Sequence, residues 1–201
     1  MKKAKKENRM VVLEFVIWVT LAYFIGNISP SILIGKALGI DIKKEGSGNA
    51  GTTNALRVLG KKAAVITLII DIGKGVLAVW LGLRFGNETI GMFCALAVFC
   101  GHIWPCVYGF KGGKGVATAF GAILAINWVL ALITLLVVAI GLGFTRRMSA
   151  GSLMGAVSFP ISCWFLERDF FYVGLVMALI VIVKHRSNIL RLIKGEEPKM
   201  F

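Results

Sequence analysis

Long apolar runs with few interruptions constrain the fold of this chain more than any other feature of its sequence. A helix needs about 20 apolar residues to cross a membrane, whereas a membrane-spanning β-strand alternates apolar and polar residues with a period of two. The runs do not alternate, and they lie at residues 10–34, 63–83, 89–108, 115–126, 128–144, 149–165 and 170–183. The sequence therefore predicts an all-α polytopic membrane protein with about seven short transmembrane helices. These runs leave no room for an appended soluble domain, so we expect a single integral-membrane domain over residues 1–201.

Asn127 decides between six and seven helices. Without a break there, residues 115–144 would form one helix of about 45 Å, which exceeds a hydrocarbon core of about 30 Å. Two helices also place the basic segments at residues 110–114 and 145–147 on the same side of the membrane, as the positive-inside rule favours. We therefore predict two helices that are separated at Asn127.

The distribution of basic residues predicts the orientation. The chain has 23 Lys and Arg against 10 Asp and Glu, a formal net charge of +13. With seven spans, the side that holds the C-terminus carries more than twice as many Lys and Arg residues as the other side. The positive-inside rule then predicts a cytoplasmic C-terminus and an N-terminus outside, although the lysine-rich N-terminal segment opposes this. The excess of positive charge equally fits anionic lipid head groups or a phosphorylated ligand.

The first polar segment reads S-G-N-A-G-T-T-N at residues 47–54. Glycines allow backbone amides to turn inward, and short Ser, Thr and Asn side chains add hydrogen-bond donors, so the segment is typical of a loop around an oxyanion. Arg57 follows one helical turn later, and its guanidinium group matches a phosphate. A flexible turn between spans explains the glycines equally well. The candidate phosphate-binding residues are Ser47, Gly48, Asn49, Gly51, Thr53, Asn54 and Arg57.

The second segment reads F-K-G-G-K-G-V-A-T at residues 110–118 and runs into an apolar helix. Free backbone N–H groups, a positive helix end and two ammonium groups favour an anion site. The segment is not a Walker A motif, and the alternative is a basic turn that only orients the neighbouring spans. The candidate phosphate-binding residues are Lys111, Gly112, Gly113, Lys114 and Gly115.

The third segment, residues 184–196, follows the last span and reads K-H-R-S-N-I-L-R-L-I-K-G-E. Its composition alone fits a basic amphipathic tail on anionic lipid. However, His185 and Asn188 share one helix face, and attraction to lipid needs neither of them. His102 lies in a mainly apolar run, where a packing role is expected.

Further polar residues lie within or beside the spans. Asp71 and Lys74 are three residues apart, so they face the same side of a helix and are expected to pair and support a site. Ser149 and Ser152 begin a span on the side of the three segments and are candidate ligand donors. The four cysteines form no C-x-x-C pair, and we expect no metal site and no disulfide framework.

In this order, the three segments resemble the motifs of the small integral-membrane glycerol-3-phosphate acyltransferases of bacteria that use acyl phosphate as donor. The resemblance extends over nearly the whole chain and implies seven spans with the motifs facing the cytoplasm. It implies catalytic roles for Ser47, Arg57, His185 and Asn188, and glycerol 3-phosphate binding by the glycines and lysines of the second motif. Glu196 also matches the third motif, but among basic neighbours we expect it to act structurally, as a clamp on the tail.

The resemblance implies an acyl phosphate:sn-glycerol-3-phosphate 1-O-acyltransferase of the bacterial plasma (inner) membrane, which catalyses the first step of phospholipid synthesis. The expected products are lysophosphatidic acid and inorganic phosphate, formed by direct transfer without an acyl-enzyme. Acyl phosphate, glycerol 3-phosphate and membrane lipids are the expected partners, whereas no cofactor, nucleic acid or obligate protein partner is expected.

Three further features bear on the donor and on the alternatives. The H-x-x-x-x-D pattern of acyl-thioester glycerolipid acyltransferases is absent after both His102 and His185, which argues against a coenzyme A donor. A small organic-phosphate transporter would use the same anion loops, although the sequence shows no convincing inverted repeat. A non-catalytic lipid-binding scaffold would need the basic tail but not the glycine-rich loops.

Overall fold

The computed structural model describes the backbone of residues 2–200 and the side chains of residues 9–200. The described residues form helices and connecting segments without a β-strand, which confirms the predicted all-α fold. The helices are α1 (Lys2–Gly26), α2 (Pro30–Ala37), α3 (Thr52–Val58), α4 (Lys61–Phe85), α5 (Glu88–Ile103), α6 (Val116–Ile126), α7 (Trp128–Thr145), α8 (Met148–Leu166), α9 (Phe171–Lys184) and α10 (Arg186–Ile193). Short 3-10 turns at Cys106–Tyr108 and Arg168–Phe170 precede α6 and α9.

Each predicted apolar run contains a helix, but not every helix is long enough to span a membrane alone. Among the described residues, five segments meet the length and hydropathy expected of a span, and a sixth does so if the bent pair α9 and α10 is taken together. Helix α6 has only 11 residues and stays below this length. The number of seven spans therefore stays a prediction, and so does the orientation of the termini. Met1 lies outside the described residues.

The first predicted run, residues 10–34, is not one continuous helix. It breaks after Gly26, and α2 begins at Pro30, which suits the first position of a helix because its missing N–H would have no intrahelical partner there. The ammonium group of Lys74 caps the break, with Nζ 3.1 Å from the carbonyl oxygen of Gly26 and 2.6 Å from that of Ile28. A charge inside α4 thus satisfies carbonyl groups at the end of α1.

The break predicted at Asn127 is confirmed. Asn127 has an extended backbone between α6 and α7, and its side-chain oxygen accepts hydrogen bonds from the amides of Val129 (3.0 Å) and Leu130 (3.2 Å). Its side-chain nitrogen donates to a carboxylate oxygen of Glu167 at the end of α8 (3.0 Å). Asn127 therefore caps α7 and ties this connection to the end of α8.

Glycines allow the helices to pack closely in pairs. Helix α1 packs on α5, α4 on α6, and α7 on α8. A Cβ atom on Gly26 would lie 2.9 Å from the Cα of Gly101, and a Cβ atom on Gly141 would lie 2.8 Å from the Cα of Gly151. Membrane helices often approach through such small residues, because the hydrophobic effect does not drive helix association in lipid.

The chain reverses after α10 and returns across the beginning of α8. Gly195 permits the reversal with a positive φ of 73°. The amide of Met200 then donates to the carbonyl of Arg146 (2.7 Å), and Arg147 Nε donates to the carbonyl of Glu197 (2.8 Å). The C-terminal tail is therefore fixed beside the beginning of α8.

Candidate active site

The three polar segments meet around one cavity of about 430 Å³. The predicted residues that line it are Ser47, Asn49, Gly51, Thr53, Asn54, Arg57, Asp71, Lys114, Gly115, Ser149, Ser152, His185 and Asn188. The predicted residues outside its lining are Gly48, Lys74, Lys111, Gly112, Gly113 and Glu196. Segments that are far apart in the sequence are thus brought together, as expected for a single site.

A chain of contacts links the second and third segments at the polar end of the cavity. Lys114 Nζ contacts the side-chain oxygen of Asn188, and the side-chain nitrogen of Asn188 donates to Oε1 of Glu197 (2.6 Å). The same carboxylate accepts a hydrogen bond from Ser149 Oγ (2.7 Å) and pairs with Arg191 Nε (2.7 Å). Glu197 therefore fixes the orientation of Asn188, and Asn188 in turn contacts the ammonium group of Lys114.

The structural carboxylate of the tail is Glu197, not the predicted Glu196. Glu196 is exposed, whereas Glu197 is buried at 5% exposure and lines the cavity. Burial opposes its ionisation, but the hydrogen bonds from Ser149, Asn188 and Arg191 hold the pKa of Glu197 below its usual value. After the helix ends, no periodicity predicts which of two adjacent glutamates faces inward, so the sequence offered no basis for this choice.

His185 lies buried where α9 meets α10. Its Nδ1 lies 2.8 Å from the carbonyl oxygen of Val181, and since a carbonyl only accepts hydrogen bonds, Nδ1 carries the proton. Burial, reinforced by the charge of Lys114, lowers the pKa of His185 to about 4. At neutral pH the ring is therefore uncharged, and its Nε2 is available as a hydrogen-bond acceptor.

In the described part of the chain, Lys114 is one of two cationic side chains that line the polar end of the cavity, and Arg57 is the other. Lys114 immediately precedes Gly115, the N-cap of α6, so its ammonium group is close to the positive end of that helix dipole. Burial lowers the pKa of Lys114 to about 8, and the nearby positive charges of Arg191 and Arg57 act in the same direction. An anion bound here would meet several positive charges and the first amides of α6.

Several predicted donors are already engaged in hydrogen bonds within the protein. Both N–H groups of the Asn54 side chain donate to backbone carbonyls, those of Ile42 and Glu45 (3.1 Å each), and its oxygen accepts from the amide of Ser47 (2.8 Å). Asn54 thus shapes the first loop. Ser149 donates to Glu197, and Ser152 donates to the carbonyl of Met148 within its own helix (2.9 Å).

The glycines of the second segment serve close packing. A Cβ atom on Gly112 would overlap the carbonyl oxygen of His102, and one on Gly113 would overlap the His102 ring. Gly115 has a positive φ of 81°, and a Cβ atom there would overlap the Phe99 ring. In the structure, the absence of side chains at these glycines allows the loop to pack closely against α5. The sequence instead predicts that they allow the backbone to approach a phosphate.

The cavity continues from this polar end into an apolar part. On α8, one face lines it from Ser149 through Ala156 to Phe159, ten residues further along, a distance of about 15 Å. Leu68, Ile72, Phe120, Ile123, Leu135, Val138, Met177, Ala178 and Val181 line it from the other helices. Because these side chains are apolar, this part of the cavity can hold a hydrocarbon chain.

Sequence reasoning missed a further polar residue of the site. The apolar neighbours of His102 in the sequence predict a packing role, but the residue also lines the cavity, at 5% exposure. Its Nδ1 lies 2.8 Å from Lys74 Nζ and 3.3 Å from Asp71 Oδ1. The structure also forms the predicted Asp71–Lys74 pair, with Lys74 Nζ 2.8 Å from Asp71 Oδ1. The pair indicates a polar site inside the protein, but the sequence does not show that the pair faces His102.

A family model described as glycerol-3-phosphate acyltransferase matches residues 16–195. Relatives named glycerol-3-phosphate acyltransferase include a Clostridioides difficile protein, 41% identical over 203 residues, which aligns with 95% of this chain and 98% of the relative. A Finegoldia magna protein of the same name is 44% identical over an alignment of 192 residues, and the alignment covers 94% of this chain and 97% of that protein.

Two solved structures are also similar to this chain. Both are crystal structures of PlsY (YgiH), an integral membrane glycerol 3-phosphate acyltransferase, and each is 32% identical in sequence. The glycerol 3-phosphate form superposes with a TM-score of 0.89 over 93% of this chain and 96% of PlsY. The lysophosphatidic acid form gives a TM-score of 0.86 over 93% and 95%.

Proposed function

The chain belongs to the glycerol-3-phosphate acyltransferase family, and on this basis we propose that it transfers a fatty acyl group from an acyl phosphate to glycerol 3-phosphate. The products are lysophosphatidic acid and inorganic phosphate, the transfer is direct, and the reaction is the first step of phospholipid synthesis. The observation that carries the proposal is a single cavity with Lys114 and Arg57 at its polar end and an apolar continuation along α8.

The polar end suits two phosphorylated substrates. Arg57 and Lys114 line the cavity, and Arg191 is close enough to Lys114 to lower its pKa. We assign the phosphate of glycerol 3-phosphate to Lys114, the amides at the beginning of α6, and Arg57 with Ser47 of the first segment. The acyl chain of the donor occupies the apolar part, which places its carbonyl carbon near His185.

The chemistry requires little more than positioning, because an acyl phosphate is a mixed anhydride with a good leaving group. The glycerol 3-phosphate hydroxyl donates a hydrogen bond to Nε2 of His185 and attacks the acyl carbon. The bond between that carbon and the phosphate oxygen breaks as the ester bond forms, and the hydroxyl proton finishes on the released phosphate. Lys114 stabilises the negative charge, and Asn188 acts through its contact with Lys114.

The donor assignment predicts turnover with palmitoyl phosphate and none with palmitoyl-CoA. Purified protein in detergent is incubated with glycerol 3-phosphate and either donor, and lysophosphatidic acid and free phosphate are measured. Comparable rates with palmitoyl-CoA would overturn the assignment. Counterflow of glycerol 3-phosphate in liposomes, without chemical change, would instead favour the transporter.

We also propose a multi-pass protein of the bacterial inner membrane whose site faces the cytoplasm. Single cysteines, introduced at exposed positions into a variant without native cysteines, are labelled with a membrane-impermeant maleimide in spheroplasts. We expect Asn87→Cys and Arg168→Cys to react in intact spheroplasts, and Gly48→Cys, Arg146→Cys and Lys194→Cys only after permeabilisation. The reverse pattern would place the site outside, and reaction of Arg146→Cys together with Asn87→Cys would contradict the arrangement of spans.

A further inference from the structure

We infer that His102, held by Asp71 and Lys74, is a positioning residue that sets the place of Lys114 in the site. The inference rests on the proposed function, because it assigns glycerol 3-phosphate to Lys114. It is carried by a buried polar cluster between α4 and α5 that supports the loop at residues 109–115. We call Asp71, Lys74 and His102 the polar cluster.

The polar cluster is rigidly held. Asp71, Lys74 and His102 are exposed by only 1%, 4% and 5%. Lys74 Nζ lies 2.8 Å from both Asp71 Oδ1 and His102 Nδ1, and it also contacts the carbonyl oxygens of Gly26 and Ile28 at the end of α1. The Lys74 ammonium group lies at hydrogen-bond distance from Nδ1 and fixes the orientation of the imidazole ring, and Asp71 pairs with Lys74.

The other edge of the ring supports the loop that carries Lys114. The space that a Cβ atom would need on Gly113 is filled by the ring, including its Nε2. The Gly113 amide donates to the His102 carbonyl (3.2 Å), and the Gly112 amide donates to the Ile103 carbonyl (3.2 Å). Gly115, on the other side of Lys114, packs closely against Phe99. The main chain on both sides of Lys114 therefore packs against α5.

A purely structural role gives a weaker account of the polar cluster. Charged groups inside a membrane protein are costly, and well-packed apolar side chains of similar volume often stabilise a fold as well or better. Asp71 and His102 also line the same cavity as Lys114. A polar cluster that contacts the glycine next to a substrate-binding lysine is explained by the geometry it imposes on that lysine.

The test measures whether His102 acts through Lys114. Binding of glycerol 3-phosphate is measured by calorimetry on four detergent-purified proteins: the unchanged chain, His102→Asn, Lys114→Ala and the double variant. Asparagine keeps a polar atom near Nδ1 but removes the ring edge below Gly113. We expect His102→Asn to weaken glycerol 3-phosphate binding roughly tenfold when Lys114 is present. When Lys114 is already alanine, the same change should alter binding less than about twofold, because the effects of coupled residues are not additive.

The control is Cys94→Ala, a buried change on the same helix away from the loop, whose effect should be the same in both Lys114 backgrounds. Equal weakening by His102→Asn in both backgrounds, or no weakening, would overturn the inference. If His102→Asn does not fold, Gly113→Ala, whose Cβ atom would overlap the His102 ring, takes its place in the same comparison. It should weaken binding when Lys114 is present and change it less than about twofold when Lys114 is alanine. Equal weakening in both backgrounds would overturn the inference.

The binding measurement needs no acyl donor, so it separates this inference from the proposed reaction. Binding without turnover of palmitoyl phosphate would contradict the donor assignment and leave the coupling of His102 to Lys114 measurable. Turnover is measured on the same proteins, and a raised KM for glycerol 3-phosphate with little change in kcat is expected for His102→Asn. A fall in kcat alone would contradict a role in positioning Lys114.

Discussion

Replacing Lys114 with alanine is expected to reduce kcat/KM for glycerol 3-phosphate at least tenfold. The ammonium group lies at the polar end of the cavity beside the beginning of α6, where it would meet a substrate phosphate. A hydrogen bond to a charged group contributes roughly 1.5 to 3 kcal/mol, which corresponds to a factor of about 10 to 150. Steady-state kinetics with acyl phosphate as the second substrate measures the loss.

The pH dependence of the unchanged chain provides a second measurement. The pKa of Lys114 is lowered to about 8 by burial, so its ammonium form predominates below this pH and is lost above it. We therefore expect kcat/KM, which reports the free enzyme, to fall as pH rises through about 8. Lys114→Arg should recover only part of the activity, because the planar guanidinium group of arginine fits a site for an ammonium group poorly. The fall of kcat/KM at high pH should disappear in this variant, because arginine stays charged.

Lys111→Ala is the matched control. It removes the same charge from the same loop, three residues away, but Lys111 does not line the cavity. We expect its kinetics to stay close to those of the unchanged chain. If Lys114→Ala instead keeps both KM and kcat and alters only orientation or yield, the loop orients the spans and the phosphate site lies elsewhere.

The difference between the two lysines shows what the sequence can and cannot predict. The apolar runs and the break at Asn127 follow from helix length and the positive-inside rule, and the structure has the break, with Asn127 as the cap of α7. The distribution of Lys and Arg predicts that the three polar segments lie on the same side of the membrane. The position of Lys114 at the beginning of α6 already favours it over Lys111 in the sequence, and Lys114 is the one that lines the cavity. The close packing of the loop against α5 depends instead on tertiary contacts, which no local pattern encodes.

Hydrogen-bonding residues were also easier to find than their partners. The sequence pattern selects Asn54 and Ser149 as candidate site residues, and both line the cavity. Tertiary structure then decides whether their donors face a ligand or the protein, and both donate within the protein. The helices α2 and α3 were missed for a related reason, since short helices depend on packing more than on their own sequences.

The two adjacent glutamates of the tail give the second large expected effect. Glu197→Ala removes a carboxylate that accepts hydrogen bonds from Ser149, Asn188 and Arg191, and it leaves these donors unpaired. Leaving a buried hydrogen-bonding group without its partner costs roughly 1 to 3 kcal/mol, whereas exposed surface changes usually stay within about 0.5 kcal/mol. We therefore expect a markedly lower unfolding temperature for Glu197→Ala and an unchanged one for Glu196→Ala, both measured by thermal unfolding in detergent.

The contribution of Glu197 should depend on pH with a definite sign. Its pKa is held below the unfolded value, so its stabilisation is present above that value and is lost as pH falls through the folded pKa. Glu197→Gln should therefore reduce the loss of stability on acidification, because the group that titrates is gone. It should also lower turnover through Asn188, whose contact with Lys114 depends on the carboxylate. An unchanged unfolding temperature with abolished turnover would place Glu197 against the substrate, and a larger effect at Glu196 would contradict the path of the tail.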